Sequence, residues 1–485
     1  MNVCSVAQVR DAEKYTISSG TDGYELMVRA GRGAARIIEE LFPHRKRTII
    51  LCGGGNNGGD ALVVASCLKG EVLVYSTHPA ESFKNEAACA VRDLPEHIPF
   101  TVFQEFPVNV FLPGDLIVDG LLGIGFSGGK LRESAASAVR EVNNSSCPVA
   151  ALDVPSGLDS DSGGVHDLAV KADVTITFGA VKKGLLCGKG PALCGILKTV
   201  DIGLENLAGN DEAVTFDEAV KLLPDHPADV HKNRRGELLV VAGSCEYSGA
   251  AALTSSAALR CGSGIVRLAT VNARKNLPYA LIVREFSAVD GVLPPDIWQK
   301  IDDFAEKSSA LAAGPGWGNA HIDVLAGALK FHGPVVLDAD ALNLLARHPQ
   351  LWQKRRGVVI TPHPGEARRL AEAFGITGTE RTALAEALAQ KLGVVVLLKG
   401  KFTVIASPEE KTKFILSGSS ALATAGSGDV LTGIIGSLLA AGLPPFDAAV
   451  LGASLHGRAG ELAGKGAIAD DLPLILKEIL KELYI

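Results

Sequence analysis

The stretch TIILCGGGNNGGDALVVA, Thr48–Ala65, decides the fold of the first half of this chain. An apolar run ends at Cys52, three glycines follow, and an apolar helix-like segment begins after the asparagines. Strand, glycine turn and helix form the opening unit of a parallel α/β sheet. The glycines let backbone N–H groups face outward, and the helix N-terminus adds positive potential, so the loop makes an anion seat. Asn56 and Asn57 bring neutral donors and acceptors, and Asp60 is placed to cap the helix. A solvent-exposed glycine loop with an N-cap is the alternative.

Outward from this stretch the same rhythm repeats. Glu71–Tyr75, Leu116–Asp119, Val149–Asp153 and Val174–Phe178 read as strands, with helical patterns such as Gly59–Leu68 and Ser134–Val142 between them. Continuous Val- and Ile-rich runs suit parallel strands covered on both faces, so the first half is expected to be a doubly wound sheet. The signal weakens over Leu204–Asp211 and resumes with Thr215–Leu223, which places a domain boundary near residue 212. In the second half Glu237–Ala242, Ile265–Ala269, Ala310–Ala313, Val335–Asp338, Val358–Ile360, Val394–Lys399 and Thr403–Ala406 read as strands. No short-period repeat or low-complexity segment is evident.

Composition agrees. A chain of 485 residues exceeds one ordinary core, so two domains are expected. A net charge of −7 argues against a nucleic-acid partner. The N-terminal residues lack the apolar core of a signal peptide, and the longest uncharged run, Val430–Phe446, is interrupted by Pro444-Pro445 and reads as buried helix, so no membrane partner is expected. The nine cysteines include no CxxC pair, which suits reduced thiols in the cytoplasm. Cys52, Cys67, Cys89, Cys245 and Cys261 sit in apolar segments and read as small core residues.

Two more strand ends carry glycine and polar residues: Asp119 leads into GLLGIGFSGG (Gly120–Gly129), and Asp153 into VPSGLD (Val154–Asp159). Ligands of open α/β sheets bind beyond the carboxyl ends of strands, so the three loops point to one cleft. Residues Gly123–Gly128 spell GxGxxG, but the acid Asp119 precedes them rather than following by about twenty residues, which disfavours a dehydrogenase. Ser156 lies in VPSGL, not in the GxSxG of a hydrolase.

GGGNNGGDALVVA, DGLLGIGF, DVPSGLDSDSG and TFGAVKKGL (Thr177–Leu185) resemble the N-terminal domain of the YjeF family, the NAD(P)H-hydrate epimerases. Ile124 stands where relatives often have Thr. The resemblance implies a potassium ion held by Asn57, Asp119 and Ser156, all oxygen donors of the kind hard cations prefer. It implies substrate contacts at Asn56, Asn57, Gly58, Gly59, Asp60, Gly123, Ile124, Gly125, Phe126, Ser127, Gly128, Gly129 and Asp153. Asp153 is the candidate base, because epimerisation at C6 of the hydrated ring requires proton transfers; a turn-capping Asp before Pro155 is the bland reading.

In the second half ATAGSGDVLTG (Ala423–Gly433) opens a long apolar helix with a glycine turn, a seat for nucleotide phosphates. Asp429 would be unfavourable beside phosphates unless it activates an attacking hydroxyl; an N-cap is the alternative. No GxxxxGK[ST] is present, which excludes a P-loop. The GSGD helix start, VVVLLKGKFTVIA and LDADALN (Leu337–Asn343) resemble the ribokinase-like superfamily. HKNRRGELLVVAGS (His231–Ser244), the segment Gly249–Thr270, AAGPGWGN (Ala312–Asn319), TPHPGEARRL (Thr361–Leu370) and ALATAGSGDVLTGII (Ala421–Ile435) are similar to the ADP-dependent NAD(P)H-hydrate dehydratase domain.

That resemblance implies that Lys399, Gly400, Lys401, Phe402, Thr403 and Gly428 hold the AMP portion of ADP. It makes Asp429 the base and places Gly316 and His363 along the cleft for the hydrated nicotinamide. His363 read alone is more often a structural hydrogen-bonding residue. Asp338 and Asp340 would position magnesium through water, with strand-end capping an equal alternative. The expected protein is therefore α/β throughout, a Rossmann-like doubly wound sheet over residues 1–212 and a ribokinase-like domain over 213–485. Its expected work is nicotinamide-nucleotide repair by a homo-oligomer. The rival reading is a vitamin-precursor kinase fused to a nucleotide-binding scaffold module.

Overall fold

The computed structural model describes residues 1–224, 235–273, 277–378 and 380–484; His231–Arg234 of the HKNRRG motif lie outside them. The chain separates into two compact units, Met1–Glu212 and Ala213–Ile485, and both are α/β.

The first unit is built on seven strands: β1 (Arg47–Cys52), β2 (Glu71–Ser76), β3 (Phe100–Val102), β4 (Leu116–Gly120), β5 (Val149–Leu152), β6 (Val174–Phe178) and β7 (Ile196–Val200). They lie in the order β3-β2-β1-β4-β5-β6-β7, and every pairing is parallel. The order reverses between β1 and β4, which opens a crevice at their carboxyl ends. Ile50, Val118, Ala150 and Ile176 face one core with helices α1 (Gly23–Leu41) and α2 (Asn56–Cys67), while Ile49, Ile117 and Ala151 face another with α3 (Glu133–Asn144). The continuous apolar runs follow from this two-sided covering.

The second unit carries β8 (Glu237–Val241), β9 (Ile265–Val271), β10 (Ile282–Phe286), β11 (Ala310–Ala313), β12 (Val335–Leu337), β13 (Val358–Ile360), β14 (Val395–Leu398), β15 (Thr403–Ala406) and β16 (Lys413–Ile415). Their order is β10-β9-β8-β11-β12-β13-β14-β15-β16, parallel as far as β14 and antiparallel through the last two pairings. Here the reversal falls between β8 and β11. Trp317, fully buried, pins the loop after β11 by donating its indole N–H to the Val241 carbonyl at 2.8 Å.

Several expectations change. The uncharged run Val430–Phe446 belongs to two helices, Ser427–Ala440 and Pro445–Ala463, separated by a turn in which Gly442 takes φ +93°. Asp60 does not cap its helix: Gly55 is the N-cap, without a side-chain bond, and Asp60 lies a full turn inside. Cys67 and Cys245 are exposed rather than core, one at the end of α2 and one in the loop after β8; Cys89 and Cys261 are half-buried, and of these five only Cys52 is fully enclosed.

Helix Ser427–Ala440 packs on helix Ser248–Cys261 at a very close approach, because a Cβ on Gly433 would lie 2.1 Å from the Thr254 carbonyl oxygen. Gly433→Ala should therefore force the two helices apart and destabilise the second unit by about 1–3 kcal/mol. The check is a lower denaturant midpoint at unchanged m-value.

Candidate functional site

In the first unit the turns after β1 and β4 touch. A Cβ on Gly53 would fall 1.8 Å from the Leu121 carbonyl oxygen, so only glycine allows this contact. Between them lies a cavity of about 700 Å³ lined by Asn56, Asn57, Asp60, Gly123, Ile124, Gly125, Phe126 and Asp153. Gly58, Gly59, Ser127, Gly128 and Gly129 are not on its wall. Gly58 packs against the Gly53 carbonyl and Gly59 against Met27, which fixes the tilt of α2 beneath the site.

Asp153 stands one residue beyond β5 with φ +62°. Its Oδ1 receives Lys182 Nζ at 2.5 Å, and Lys182 also donates to the Phe178 carbonyl at 2.7 Å and to Thr177 Oγ1 at 3.2 Å. The lysine is only 1% exposed. The hydrogen bonds to the Asp153 carboxylate all reach Oδ1, which leaves Oδ2 for a ligand. Asp60 and Glu13 line the same cavity. Burial, reinforced by the charges of Asp153 and Glu13, pushes Asp60 well above the usual carboxylate range. Burial raises Glu13 too, against the pull of Lys182.

Asp119 and Ser156 lie beneath the cavity wall. Asp119 is fully buried; its Oδ1 accepts from Ser156 Oγ at 2.6 Å and its Oδ2 from Ser156 N at 2.8 Å. Burial pushes its pKa up to about 6 despite these bonds, and no lysine or arginine pairs with it among the described residues. The fold thus disfavours its ionisation, so this group withdraws stability as pH rises from its ordinary value near 4 through about 6. Asn57 adds a second uncompensated group. Its amide donates to the Leu122 and Leu152 carbonyls at 2.9 and 3.2 Å, while its Oδ1 is buried with no partner. An orphaned amide oxygen and a buried carboxylate lacking a counter-charge suit a monovalent cation.

In the second unit the helix Ser427–Ala440 opens on Gly426 at φ +87°, with Asp429 in its first turn. Asp338, one residue past β12, binds Lys399 Nζ through Oδ1 and Thr432 Oγ1 through Oδ2, both at 2.8 Å. The lysine reaches the glycine turn itself: a Cβ on Gly428 would lie 3.3 Å from its Nζ. Burial opposes the charge on Lys399, but Asp338, Glu366 and Asp429 outweigh it and hold the ammonium above its ordinary value. Burial, with the negative charge of Asp338, pushes Asp429 up to about 7.

Asp429 and Gly316 line a cavity of about 1000 Å³ at the β8/β11 reversal. His363 does not line it. It is the N-cap of helix Pro364–Ala373, its Nδ1 accepting from Gly365 N at 2.9 Å, the structural role its sequence context also allowed. Gly400–Phe402 form the turn between β14 and β15, and this turn is tied by Arg381 to the Lys401 carbonyl at 2.7 Å; Phe402 is buried. Asp340 accepts from Gly318 N at 2.8 Å. No group of three His, Cys, Asp or Glu among the described residues is arranged to hold a metal directly.

Lys182 and Glu13 were not marked by the sequence reading. Lys182 lay in the quoted TFGAVKKGL, where a lysine soon after a fully buried strand was the available signal.

A family profile described as YjeF-related protein N-terminus matches residues 23–184, and one described as NAD(P)H-hydrate dehydratase matches residues 238–482. The bifunctional NAD(P)H-hydrate repair enzyme Nnr of Escherichia coli (strain K12) is 35% identical, over 94% of this chain and 89% of its own. The protein of the same name from Coxiella burnetii is 34% identical, over 96% of each. A crystal structure of a ribokinase-like superfamily protein from Enterococcus faecalis V583 superposes with a TM-score of 0.50 at 22% identity, covering 57% of this chain and 99% of that one; it shares the fold of the second unit.

Lys182→Met would strand Asp153 as an uncompensated buried charge. The expected cost to the first unit is about 3–5 kcal/mol, and part should return in the double variant Lys182→Met/Asp153→Leu. Denaturant midpoints of the two variants check this; equal losses would contradict the pairing.

Proposed function

The chain belongs to the family of bifunctional NAD(P)H-hydrate repair enzymes, and from that membership we propose that its two units divide the repair. The first epimerises hydrated NADH and NADPH at C6. The second removes water from the S form with ADP as co-substrate. The nine unbridged cysteines support a cytoplasmic setting. No helix among the described residues is long and apolar enough to cross a membrane.

C6 of the hydrate carries a hydroxyl beside the ring nitrogen. The nitrogen lone pair can expel that hydroxyl, giving a ring iminium, and water can return to the other face. The departing oxygen needs a proton and the arriving water must lose one. Asp60, whose surroundings favour its protonated form, supplies the acid. Asp153, ion-paired with Lys182 and open at Oδ2, supplies the base. A potassium ion would be held by Asn57 Oδ1, Asp119 and Ser156, where its charge would offset the buried carboxylate.

In the second unit the free amides of the helix start and Lys399 would receive the phosphates of ADP. Asp429 takes the proton of the 6-hydroxyl as that oxygen attacks the terminal phosphorus, releasing AMP. The ring nitrogen then drives out phosphate with cleavage of the C6–O bond, and loss of a proton from C5 restores the dihydronicotinamide. Phosphorylation turns a poor leaving group into a good one. Magnesium would be held by the nucleotide phosphates and reached through water by Asp338 and Asp340; it would neutralise phosphate charge. The observation that carries this reading is the placement of the Asp429 carboxylate in the first turn of the phosphate-seating helix, within the field of Lys399.

Purified protein given mixed NADH hydrates and ADP should restore the reduced-nicotinamide absorbance. Asp429→Asn should lower dehydration by about 10²–10⁴-fold and spare epimerisation. Asp153→Ala should spare repair of the S-hydrate and leave the R-hydrate to its spontaneous rate. Because the base must be ionised, dehydration should climb with pH through about 7. A stable phosphorylated product would instead mark a vitamin-precursor kinase.

Exchanging potassium for lithium should slow epimerisation without affecting dehydration, and Asn57→Leu should remove that cation dependence. Epimerisation rates indifferent to the exchange would count against the cation seat.

A further inference from the structure

On this reading the second cavity receives two anionic ligands, and the helix start with Lys399 accounts for the nucleotide alone. The hydrated dinucleotide brings phosphates of its own. Among the described residues lining this cavity, Arg347 and Arg369 are the only arginines, no lysine joins them, and Glu246, Asp290, Asp340, Glu372 and Asp429 oppose them in sign. Arg347 ends the helix Asp340–Arg347, and Arg369 lies on the neighbouring helix Pro364–Ala373.

Arg369 is held in place by a neutral group. Its Nε and Nη2 donate to Asn343 Oδ1 at 3.0 and 2.8 Å. Asn343 donates in turn to Asp340 Oδ1 at 3.4 Å, and Asp340 Oδ2 accepts from Gly318 N at 2.8 Å. The chain of bonds ties the guanidinium to the glycine loop after β11. Neither arginine forms an ion pair among the described residues, although carboxylates share the cavity wall. A guanidinium oriented by an amide oxygen keeps its full charge and its remaining N–H groups for a planar anion.

We propose that Arg369 and Arg347 bind phosphate of the hydrated dinucleotide, with Asn343 as the positioning residue for Arg369. This rests on the dehydratase reading and names the specificity element of that site. The shared chemistry is a phosphate, either the diphosphate bridge common to both hydrates or the 2′-phosphate of the NADPH hydrate.

The test measures kcat and KM for S-NADH hydrate and S-NADPH hydrate separately at saturating ADP, in the wild type and in Arg369→Ala, Arg347→Ala, Arg369→Lys and Asn343→Leu. Both arginines are exposed, so truncating them removes no core packing. The alanine variants should raise hydrate KM about tenfold, the scale of one charge-assisted hydrogen bond, with kcat and the KM for ADP unchanged. Arg369→Lys should recover part of the loss, and Asn343→Leu should show part of it. A rise for both hydrates assigns the diphosphate, and a rise confined to the NADPH hydrate assigns the 2′-phosphate. Unchanged hydrate KM in both alanine variants, beside an active wild type, overturns this proposal alone, as does a rise in the KM for ADP instead. A wild type that dehydrates neither hydrate overturns the reading of the site and this proposal with it.

Discussion

One positive charge, the Lys399 ammonium, faces three carboxylates in the second unit, and the rest of that site is arranged around it. It binds Asp338 directly and lies in the field of Glu366 and Asp429. Asp338 in turn holds Thr432, one turn into the helix whose first residues shape the glycine turn. Strand end, lysine and helix start are thereby locked together through a single carboxylate. The same balance leaves Asp429 poised between its two protonation states, because Lys399 offsets only part of what burial and Asp338 impose.

The first unit meets a similar problem with the same device. Lys182 is the buried cation among Asp153, Asp60 and Glu13, and it neutralises Asp153 by direct contact while easing the other two at a distance. Both arrangements stand beside a cavity opened where parallel strand order reverses. There two adjacent loops leave the sheet in opposite directions and open a space between them. The acids that matter, Asp153 and Asp338, each occupy the first position beyond a strand, where the backbone leaves the ladder and a side chain can point off the end of the sheet.

The interior strands were legible because burial on both faces favours apolar runs, as in Ile49–Cys52 and Val149–Leu152. The outer strands Phe100–Val102, Ile196–Val200 and Ile282–Phe286 were not, since each exposes one side to solvent and interrupts the run. The start of the helix at Asn56 was misjudged because glycines and asparagines argue against helix locally, while the close packing of Gly58 and Gly59 requires it. The glycine loops themselves announced both clefts. What sequence order hid was pairing across distance: Lys182 with Asp153, Lys399 with Asp338, and Arg369 with Asn343 each join residues more than twenty positions apart. His363 takes the structural role that its sequence context also allowed, as a helix cap.

The midpoint of Asp429 near neutrality couples occupancy of its neighbouring seat to hydrogen-ion activity. A polyphosphate arriving at the helix start adds negative charge beside a half-titrated acid and draws a proton onto it. On the proposed reading, association would take up hydrogen ion and tighten as the medium acidifies, while the base role would require that same proton to leave. Capture and chemistry would then pull the one carboxyl in opposite directions, so that acidity would trade retention of the nucleotide against its use.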